Sequence, residues 1–222
     1  MSLSKRLNAC VTYTSGFNKL ADIGTDHAFL PITAVQNGYV FEALAIDNKE
    51  GPYVIAYSNI KRANLEDKIK PILGDGLAAI TDDVDVVVIS GMGGKLISNI
   101  LIKDPLKNVK RLILQPNSDA HYIRAILPFI GFYIIDELFI SEGKKYYEVI
   151  VLEKGNKVYD PLEIKYGPIL LKDKPFFFQN KIFKDIEYYS KVLPNISNLE
   201  KIKSIESKLK ELNEVKLWME SK

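Results

Sequence analysis

The sequence predicts an α/β fold in which a mainly parallel sheet is followed by a helical region. Short apolar runs alternate with helix-length amphipathic segments, as in a chain of βα units. The run over 84–89 is nearly continuously β-branched, which is typical of a central parallel strand covered on both faces. After residue 154 the pattern becomes mostly helical. We therefore predict a sheet domain over 1–158 and a connector with a helical domain over 159–222.

The individual elements follow from apolar periodicity and turn residues. We predict a short helix before residue 17, helices over about 29–36, 51–63 and 96–102, and a further helix capped by Ser118 or Asp119. Seven strands are predicted, over about 20–23, 41–46, 70–73, 84–89, 111–114, 131–140 and 146–152. The last two strands are expected to form an antiparallel hairpin. Five βα units followed by such a hairpin are the architecture of class I methyltransferases, whereas a nicotinamide-binding Rossmann fold more often carries a sixth parallel strand.

The bulk composition is that of a globular protein. The 222 residues are 47% hydrophobic and 26% charged, with a formal net charge of +2. The chain has no run of 18 apolar residues and its N-terminus lacks an apolar signal core, so we expect a cytoplasmic protein without a membrane span. The single Cys10 excludes an intrachain disulfide, and with only two histidines we expect no metal site. No feature indicates a protein partner, and we expect a monomer.

The first domain is organised around residues 20–31, which read L-A-D-I-G-T-D-H-A-F-L-P. An apolar strand ends at Gly24, whose missing Cβ lets the backbone turn sharply and approach a ligand. Asp22, Asp26 and His27 lie at or near the carboxyl end of this strand, and ligands bind at that edge of open α/β sheets. The turn is therefore the first candidate for a binding site.

The chemistry of this turn does not suit a phosphate. A dinucleotide site would carry G-x-G-x-x-G, but only Gly24 is present and two carboxylates, Asp22 and Asp26, stand beside it. Carboxylates repel phosphate and attract cations, so a cationic nucleoside without phosphate, such as S-adenosylmethionine, fits better. Ordinary turn and cap roles for the two aspartates remain the alternative.

Further nucleoside-binding side chains follow the next two strands. Asp47 lies 23 residues after Gly24, where a carboxylate in such folds accepts from both ribose hydroxyls. Asp75 stands between two glycines after the third strand and can accept from the exocyclic amine of an adenine. A loop aspartate without a ligand is the alternative for Asp75.

The loops after the fourth and fifth strands offer backbone and amide groups. The stretch 91–94 reads G-M-G-G, and three glycines in four positions indicate that the backbone comes close to another group. The Asn/Asp-Pro-Pro-aromatic motif with which many amino-methyltransferases grip the target amine is absent at this point. Gln115 and Asn117 can each donate and accept, and we interpret them as groups that read a base edge.

The C-terminal region is predicted to be a helical hairpin. After a connector over 159–173, helices are expected over 176–193 and 197–220. In the last helix, five apolar residues spaced 3, 3, 4 and 3 apart form a seam for a helical hairpin or coiled coil: Leu199, Ile202, Ile205, Leu209 and Leu212. Residues 172–222 contain 11 lysines and 8 acids, which suits either an anionic partner or a solvated helical face.

Taken in order, the motifs resemble those of the bacterial tRNA (adenine-22-N1)-methyltransferase family, TrmK. They are D-I-G-T-D-H-A-F-L-P over 22–31, G-D-G-L over 74–77, G-M-G-G over 91–94, L-Q-P-N over 114–117 and Y-E-V over 147–149. The resemblance covers essentially the whole chain. It implies a Rossmann-like methyltransferase domain, a C-terminal coiled-coil domain that binds tRNA, S-adenosylmethionine as methyl donor, and N1 of adenine 22 as acceptor.

The resemblance and the strand ends together define the predicted site. The residues expected to bind the cofactor are Arg6, Asp22, Gly24, Asp26, His27, Asp47, Asp75, Gly76, Gly91 and Met92. Those expected to contact the substrate are Gly93, Gly94, Gln115, Asn117 and Tyr122. We expect Asp26, His27 and Asn117 to be catalytic, with Asp26 stabilising the methylated adenine, which is cationic until it loses a proton from N6. A methyltransferase for another RNA base and a non-catalytic RNA-binding protein remain the alternatives.

Overall fold

The computed structural model describes residues 3–106 and 108–220, and the chain divides into two compact units. The first unit is Met1–Val158 and the second is Tyr159–Lys222. Within the described ranges, no helix has the length and apolar content needed to cross a membrane.

The first unit is built on one seven-stranded sheet with the strand order β3-β2-β1-β4-β5-β7-β6. The strands are β1 (Lys19–Ile23), β2 (Glu42–Asp47), β3 (Ile69–Leu73), β4 (Val86–Gly93), β5 (Arg111–Ser118), β6 (Phe132–Glu142) and β7 (Lys145–Lys154). The first five strands pair in parallel, whereas β7 lies antiparallel between β5 and β6. The predicted fold class, a Rossmann-like methyltransferase sheet with a terminal antiparallel hairpin, is confirmed.

Helices connect the parallel strands and form the second unit. Those of the first unit are α1 (Lys5–Thr12), α2 (Phe29–Gln36), α3 (Glu50–Arg62), α4 (Gly94–Lys103) and α5 (His121–Ile130), with a 3₁₀ turn at Gly76–Ala79. Those of the second unit are α6 (Pro161–Tyr166), α7 (Pro168–Asp173), α8 (Phe176–Val192) and α9 (Leu199–Glu220), with a 3₁₀ turn at Leu193–Asn195.

The centre of the sheet is buried and positions the site. All five residues of β1 are buried, as are the first four of β4, because helices cover both faces. β1 pairs with β2 on one side and with β4 on the other, so the strand order reverses between β1 and β4. Such a reversal opens a crevice at the carboxyl ends of the two strands, where ligands bind. The turn at Gly24 lies at this point.

The N-terminal helix α1 packs against the core. The Ser4 side chain caps it by accepting a hydrogen bond from the Leu7 backbone N–H. Cys10 and Val11 on its inner face are completely buried. Burial raises the pKa of the Cys10 thiol to about 12, because the thiolate would lose its hydration there.

Two strands extend further than the sequence predicts. β4 and β5 remain paired beyond residues 89 and 114, through Ser90 opposite Gln115 and Gly93 opposite Ser118, with irregular register in between. The glycine-rich stretch therefore belongs to the strand and not to a free loop. The predicted cap of α5 is also wrong, because the helix begins after Ala120 and the Asp119 carbonyl accepts from the Tyr122 N–H.

The second unit differs from its prediction in two places. The expected connector forms the two short helices α6 and α7, and α6 begins with a reciprocal capping pair between Asp160 and Glu163. Leu199 does not belong to the apolar seam of α9, since it is 74% exposed as the first residue of the helix. Burial instead becomes complete at Leu212 and continues to Met219.

Candidate active site

The turn after β1 is fixed to the neighbouring strand β2. The backbone N–H groups of Gly24 and Thr25 both donate to the Ile46 carbonyl, at 2.8 and 3.0 Å. Gly24 has a φ of +75°, and a Cβ at this position would overlap the methyl group of Met92. Only glycine satisfies both constraints without strain. The turn therefore holds the side chains that follow it at the crevice.

Asp22 is the buried acid of the site. It is 3% exposed, and its carboxylate accepts from the Thr25 hydroxyl at 2.7 Å. Burial raises the pKa of Asp22 to about 7; the Thr25 bond opposes this rise and the nearby Asp47 charge adds to it. The sequence predicted Asp22 as a site residue but not the role of Thr25, which orients it.

Asp26 is the exposed acid of the same turn. It adopts a left-handed conformation with φ +49°, and its side chain is 66% exposed. The His27 Nε2 lies 3.3 Å from its carboxylate, and the His27 ring stacks on Phe29 with centroids 5.2 Å apart. The His27 carbonyl accepts from the Asn59 amide of α3 at 3.0 Å. The turn thus presents one carboxylate to solvent beside an oriented imidazole.

A cavity of about 470 Å³, the nucleoside cavity, lies along the ends of the first four strands. The predicted cofactor-binding residues that line it are Gly24, Asp26, Asp47, Asp75, Gly76, Gly91 and Met92. Asp47 accepts from the Lys49 N–H at 2.9 Å, and Asp75 forms an exposed ion pair with Lys103 at 2.6 Å. The apolar side chains Leu96 and Ile100 of α4 also line this cavity, and the sequence analysis did not identify them.

A second cavity of about 240 Å³, the amino-acid cavity, adjoins the first. The two share Gly24, Asp26, Ser90 and Gly91. Its charged or titratable lining residues are Arg6, Asp22, Asp26 and His27. One guanidinium therefore faces the same small space as two carboxyl groups.

A hydrogen-bond chain links α1 to the ends of β4 and β5. Arg6 donates to the Gln115 side chain, whose amide donates to the Pro116 carbonyl at 2.8 Å. Asn117 donates to the Gly91 carbonyl at 2.6 Å and remains exposed. Gln115 is 0% exposed, so the prediction that it reads a base edge is wrong: its polar groups are occupied by protein partners. It positions Arg6 instead.

The remaining predicted substrate residues divide into one buried and two accessible positions. Gly94 is buried, and a Cβ there would overlap the Asp119 carbonyl, so the group it approaches is the loop before α5 and not a substrate. This corrects its predicted role. Gly93 is half-buried as the N-cap of α4, and Tyr122 is exposed with its ring 4.4 Å from that of His121.

Comparison with known proteins decides the family. Residues 20–216 match the family described as tRNA (adenine(22)-N(1))-methyltransferase, TrmK. The chain belongs to the TrmK family. A curated TrmK relative, the tRNA (adenine(22)-N(1))-methyltransferase of Bacillus subtilis, is 37% identical over 221 residues, which cover 96% of this chain and 93% of that protein.

Solved structures superpose on this chain over nearly its whole length. A Streptococcus pneumoniae protein in complex with S-adenosyl-L-methionine has a TM-score of 0.88 at 36% identity, and the match covers 96% of this chain and 99% of that one. The Mycoplasma capricolum TrmK in complex with S-adenosyl-homocysteine has a TM-score of 0.88 at 29% identity, with 99% and 100% coverage.

Proposed function

We propose that this protein is an S-adenosylmethionine-dependent tRNA methyltransferase that forms N1-methyladenosine at adenine 22. Membership of the TrmK family and the activity named for its Bacillus subtilis relative support the reaction. The observation in this chain that carries the proposal is the pair of adjoining cavities, whose charges match the two halves of the cofactor.

The nucleoside cavity fits the adenosine half of the cofactor. Asp47 at the end of β2 can accept from the ribose hydroxyls, and Asp75 with the Gly76 backbone borders the space for the adenine. Three carboxylates line this cavity, those of Asp26, Asp47 and Asp75, against the single ammonium group of Lys49, and this excess of negative charge disfavours a phosphate. This selects a nucleoside without phosphates over a dinucleotide.

The amino-acid cavity fits the methionine half. A zwitterionic amino acid needs one cation for its carboxylate and one anion for its ammonium group. Arg6 supplies the first, and Asp22 with Asp26 supplies the second. Because the Asp22 pKa is about 7 without a ligand, an ammonium group nearby would favour the ionised carboxylate.

The reaction requires alignment more than proton removal. The bound cofactor would supply an electrophilic methyl group. The N1 lone pair of adenine would form the new bond to it while the methyl–sulfur bond breaks and S-adenosylhomocysteine leaves. The residues at the junction of the two cavities must hold N1 about 3–3.5 Å from the methyl carbon and in line with the sulfur. Asn117, whose amide is fixed on the Gly91 carbonyl, and the exposed Tyr122 are the residues we assign to the target base.

Asp26 is the acid that we assign to the charged product. The methylated adenine is cationic until N6 loses a proton, and a carboxylate close by stabilises that charge and accepts the proton. Asp22 is buried under Thr25, whereas Asp26 is exposed and lines both cavities. His27, 3.3 Å from Asp26, orients that carboxylate.

We propose that the two units have different roles. The first unit binds the cofactor and carries the chemistry, and the second binds tRNA through its helical hairpin. We further propose that the protein acts in the cytoplasm and as a monomer.

Methylation of defined tRNA transcripts tests the function. Purified protein is incubated with tritium-labelled S-adenosylmethionine and an unmodified transcript that carries adenine 22 or guanine 22. Transfer to the first transcript alone, with the methyl group mapped to N1 by mass spectrometry, is the expected result. Equal transfer to both transcripts would identify another base as the target, and no transfer to either would indicate a non-catalytic RNA-binding protein.

A further inference from the structure

A third cavity, the α2–α3 groove, lies outside the site described so far. It has a volume of about 240 Å³ and runs along one face of α2, against the C-terminal half of α3. Phe29, Ile32 and Gln36 of α2 share this face at helical spacing, and Asn59 and Arg62 of α3 lie opposite. Of these residues, Phe29 alone also lines the amino-acid cavity.

We propose that the α2–α3 groove binds a nucleotide of the substrate RNA that adjoins the methylated adenine. The inference rests on the proposed function and adds an RNA subsite to it. Methylation requires the target adenine to leave its stack, and the neighbouring nucleotide is then displaced beside it. The α2–α3 groove lies next to the turn that carries Asp26 and His27, so it is positioned to hold that neighbouring nucleotide.

The groove is continuous with the active site. Phe29 lines both the groove and the amino-acid cavity, and its ring stacks on His27 of the catalytic turn. Asn59 belongs to the groove and donates to the His27 carbonyl at 3.0 Å. One aromatic ring and one hydrogen bond therefore join the two sites, so an RNA strand that leaves the active site on this side would enter the groove.

The lining of the groove suits a nucleotide. Leu3, Ile32 and Ala63 supply apolar surface and Phe29 an aromatic ring, and bases stack on such surfaces without regard to sequence. The planar Arg62 guanidinium, which donates to the Asn59 side chain at 3.3 Å, can stack on the base of that nucleotide. An apolar peptide would leave the polar groups of Gln36 and Arg62 unmatched.

The charge of the groove differs from that of the cofactor site. Among the described residues that line it, Arg62 is the charged one and none is acidic. The nucleoside cavity carries three carboxylates and disfavours phosphate. Because the groove carries one positive charge and its described lining residues include no carboxylate, it attracts a phosphodiester, which favours RNA as its occupant.

The test combines a protein change with an RNA change. Arg62→Ala and Gln36→Ala are compared with Lys61→Ala, which removes an adjacent exposed charge of α3 that lies outside the groove. Each variant is assayed on intact tRNA and on tRNA with an abasic site on one or the other side of adenine 22. On intact tRNA we expect Arg62→Ala to lower kcat/KM by roughly 5- to 150-fold, the range of one lost stacking contact. Lys61→Ala is expected to change it by less than about threefold.

Non-additivity is the decisive result. With the abasic site at the correct neighbour, Arg62→Ala and Lys61→Ala are expected to have equal, small effects, because the contact partner is already missing. A full Arg62→Ala loss on both abasic RNAs, or equal losses for the two variants on intact tRNA, would overturn the proposal. If Arg62→Ala lowers the melting temperature, Gln36→Ala, which changes an exposed residue of the groove, is compared with Lys61→Ala on the same RNAs.

A failure of the groove can be separated from a failure of the proposed function. The wild-type protein must methylate intact tRNA, and all variants must bind S-adenosylmethionine with unchanged affinity. Absence of wild-type methylation contradicts the proposed function itself. Normal methylation with additive effects contradicts only the RNA subsite.

Discussion

The two units of the chain arrange their charges in different ways. Residues 1–158 contain 18 basic and 18 acidic side chains, and the acids of the site lie at the carboxyl ends of adjacent strands, several with a fixed partner. Residues 159–222 contain 12 lysines and 10 acids, which alternate along the helices and pair locally, as Lys191 does with Glu187 at 2.6 Å. The acids of the site are clustered in the first unit, whereas the charges of the second unit are distributed along its helices. Single substitutions are therefore expected to matter in the first unit, and only combined ones in the second.

The largest effect is expected from Asp26→Asn. The amide keeps the size of the side chain but removes the charge and the proton acceptor, so single-turnover methylation is expected to fall about 10²- to 10⁴-fold. Cofactor affinity is expected to stay within a modest factor. Asp67→Asn, an exposed change outside the cavities, is the control. A rate within a few-fold of wild type at saturating cofactor and tRNA would leave Asp26 with a positioning role only.

Asp22→Asn is expected to change how stability depends on pH. The folded protein holds the Asp22 proton up to a pKa of about 7, whereas the unfolded chain releases it near pH ~3.9. The native state therefore binds more protons between these values, so this residue lowers the free energy of unfolding as pH rises through the window. The amide removes that penalty, which is on the order of 4 kcal/mol above pH ~7.

Denaturant unfolding of the ligand-free protein at pH 4, 6 and 8 measures this difference. The variant is expected to match the wild type at pH 4 and to exceed its stability at pH 8. Parallel pH profiles for the two proteins would mean that the Asp22 carboxylate is not desolvated in solution.

Asp47→Ala tests whether a single acid of the site contributes measurably to the affinity for the cofactor. Loss of a charged acceptor for the ribose hydroxyls is expected to weaken S-adenosylmethionine binding by about 1.5–3 kcal/mol, or roughly 10- to 150-fold. Titration calorimetry gives the affinity directly, and Glu50→Ala, at the exposed first turn of α3, is the matched control. Unchanged affinity would remove Asp47 from the ribose site.

The smallest effects per residue are expected in the second unit. Lys201, Lys203 and Lys210 are exposed along α9, and changing all three to Ala is expected to make the salt dependence of tRNA binding shallower by about one unit of slope per lost phosphate contact. Each single change is expected to have little effect. Lys68→Ala with Lys70→Ala, at the start of β3, is the control. An unchanged salt slope for the triple variant would indicate that α9 has only a structural role.

The fold was largely predictable from the sequence because the strong signals lie where burial is complete. β1, the first part of β4 and the terminal hairpin follow from apolar runs, and α2 has the predicted bounds of 29–36. The two short helices α6 and α7 were missed because six residues are too few to display helical periodicity.

The site was predictable at the level of strand ends but not of side-chain direction. The carboxyl ends of parallel strands meet at one edge, so the positions of Asp47 and Asp75 in the sequence were sufficient to bring them together. The pairing of β4 with β5 is irregular between Ser90 and Gly93, and each irregularity changes which face a side chain occupies. The burial of Gln115 was missed for another reason: its regular pairing with Ser90 extends β5 one residue beyond the predicted strand end at residue 114.

The complete burial of Cys10 has a practical consequence for fluorescence experiments. Thiol-reactive dyes attack the thiolate, and this thiol is both shielded by α1 and protonated at neutral pH. A cysteine introduced at an exposed position such as Tyr188 of α8 would therefore be the one reactive thiol, without removal of the native residue. A dye at that position would test the proposed binding of tRNA to the second unit directly.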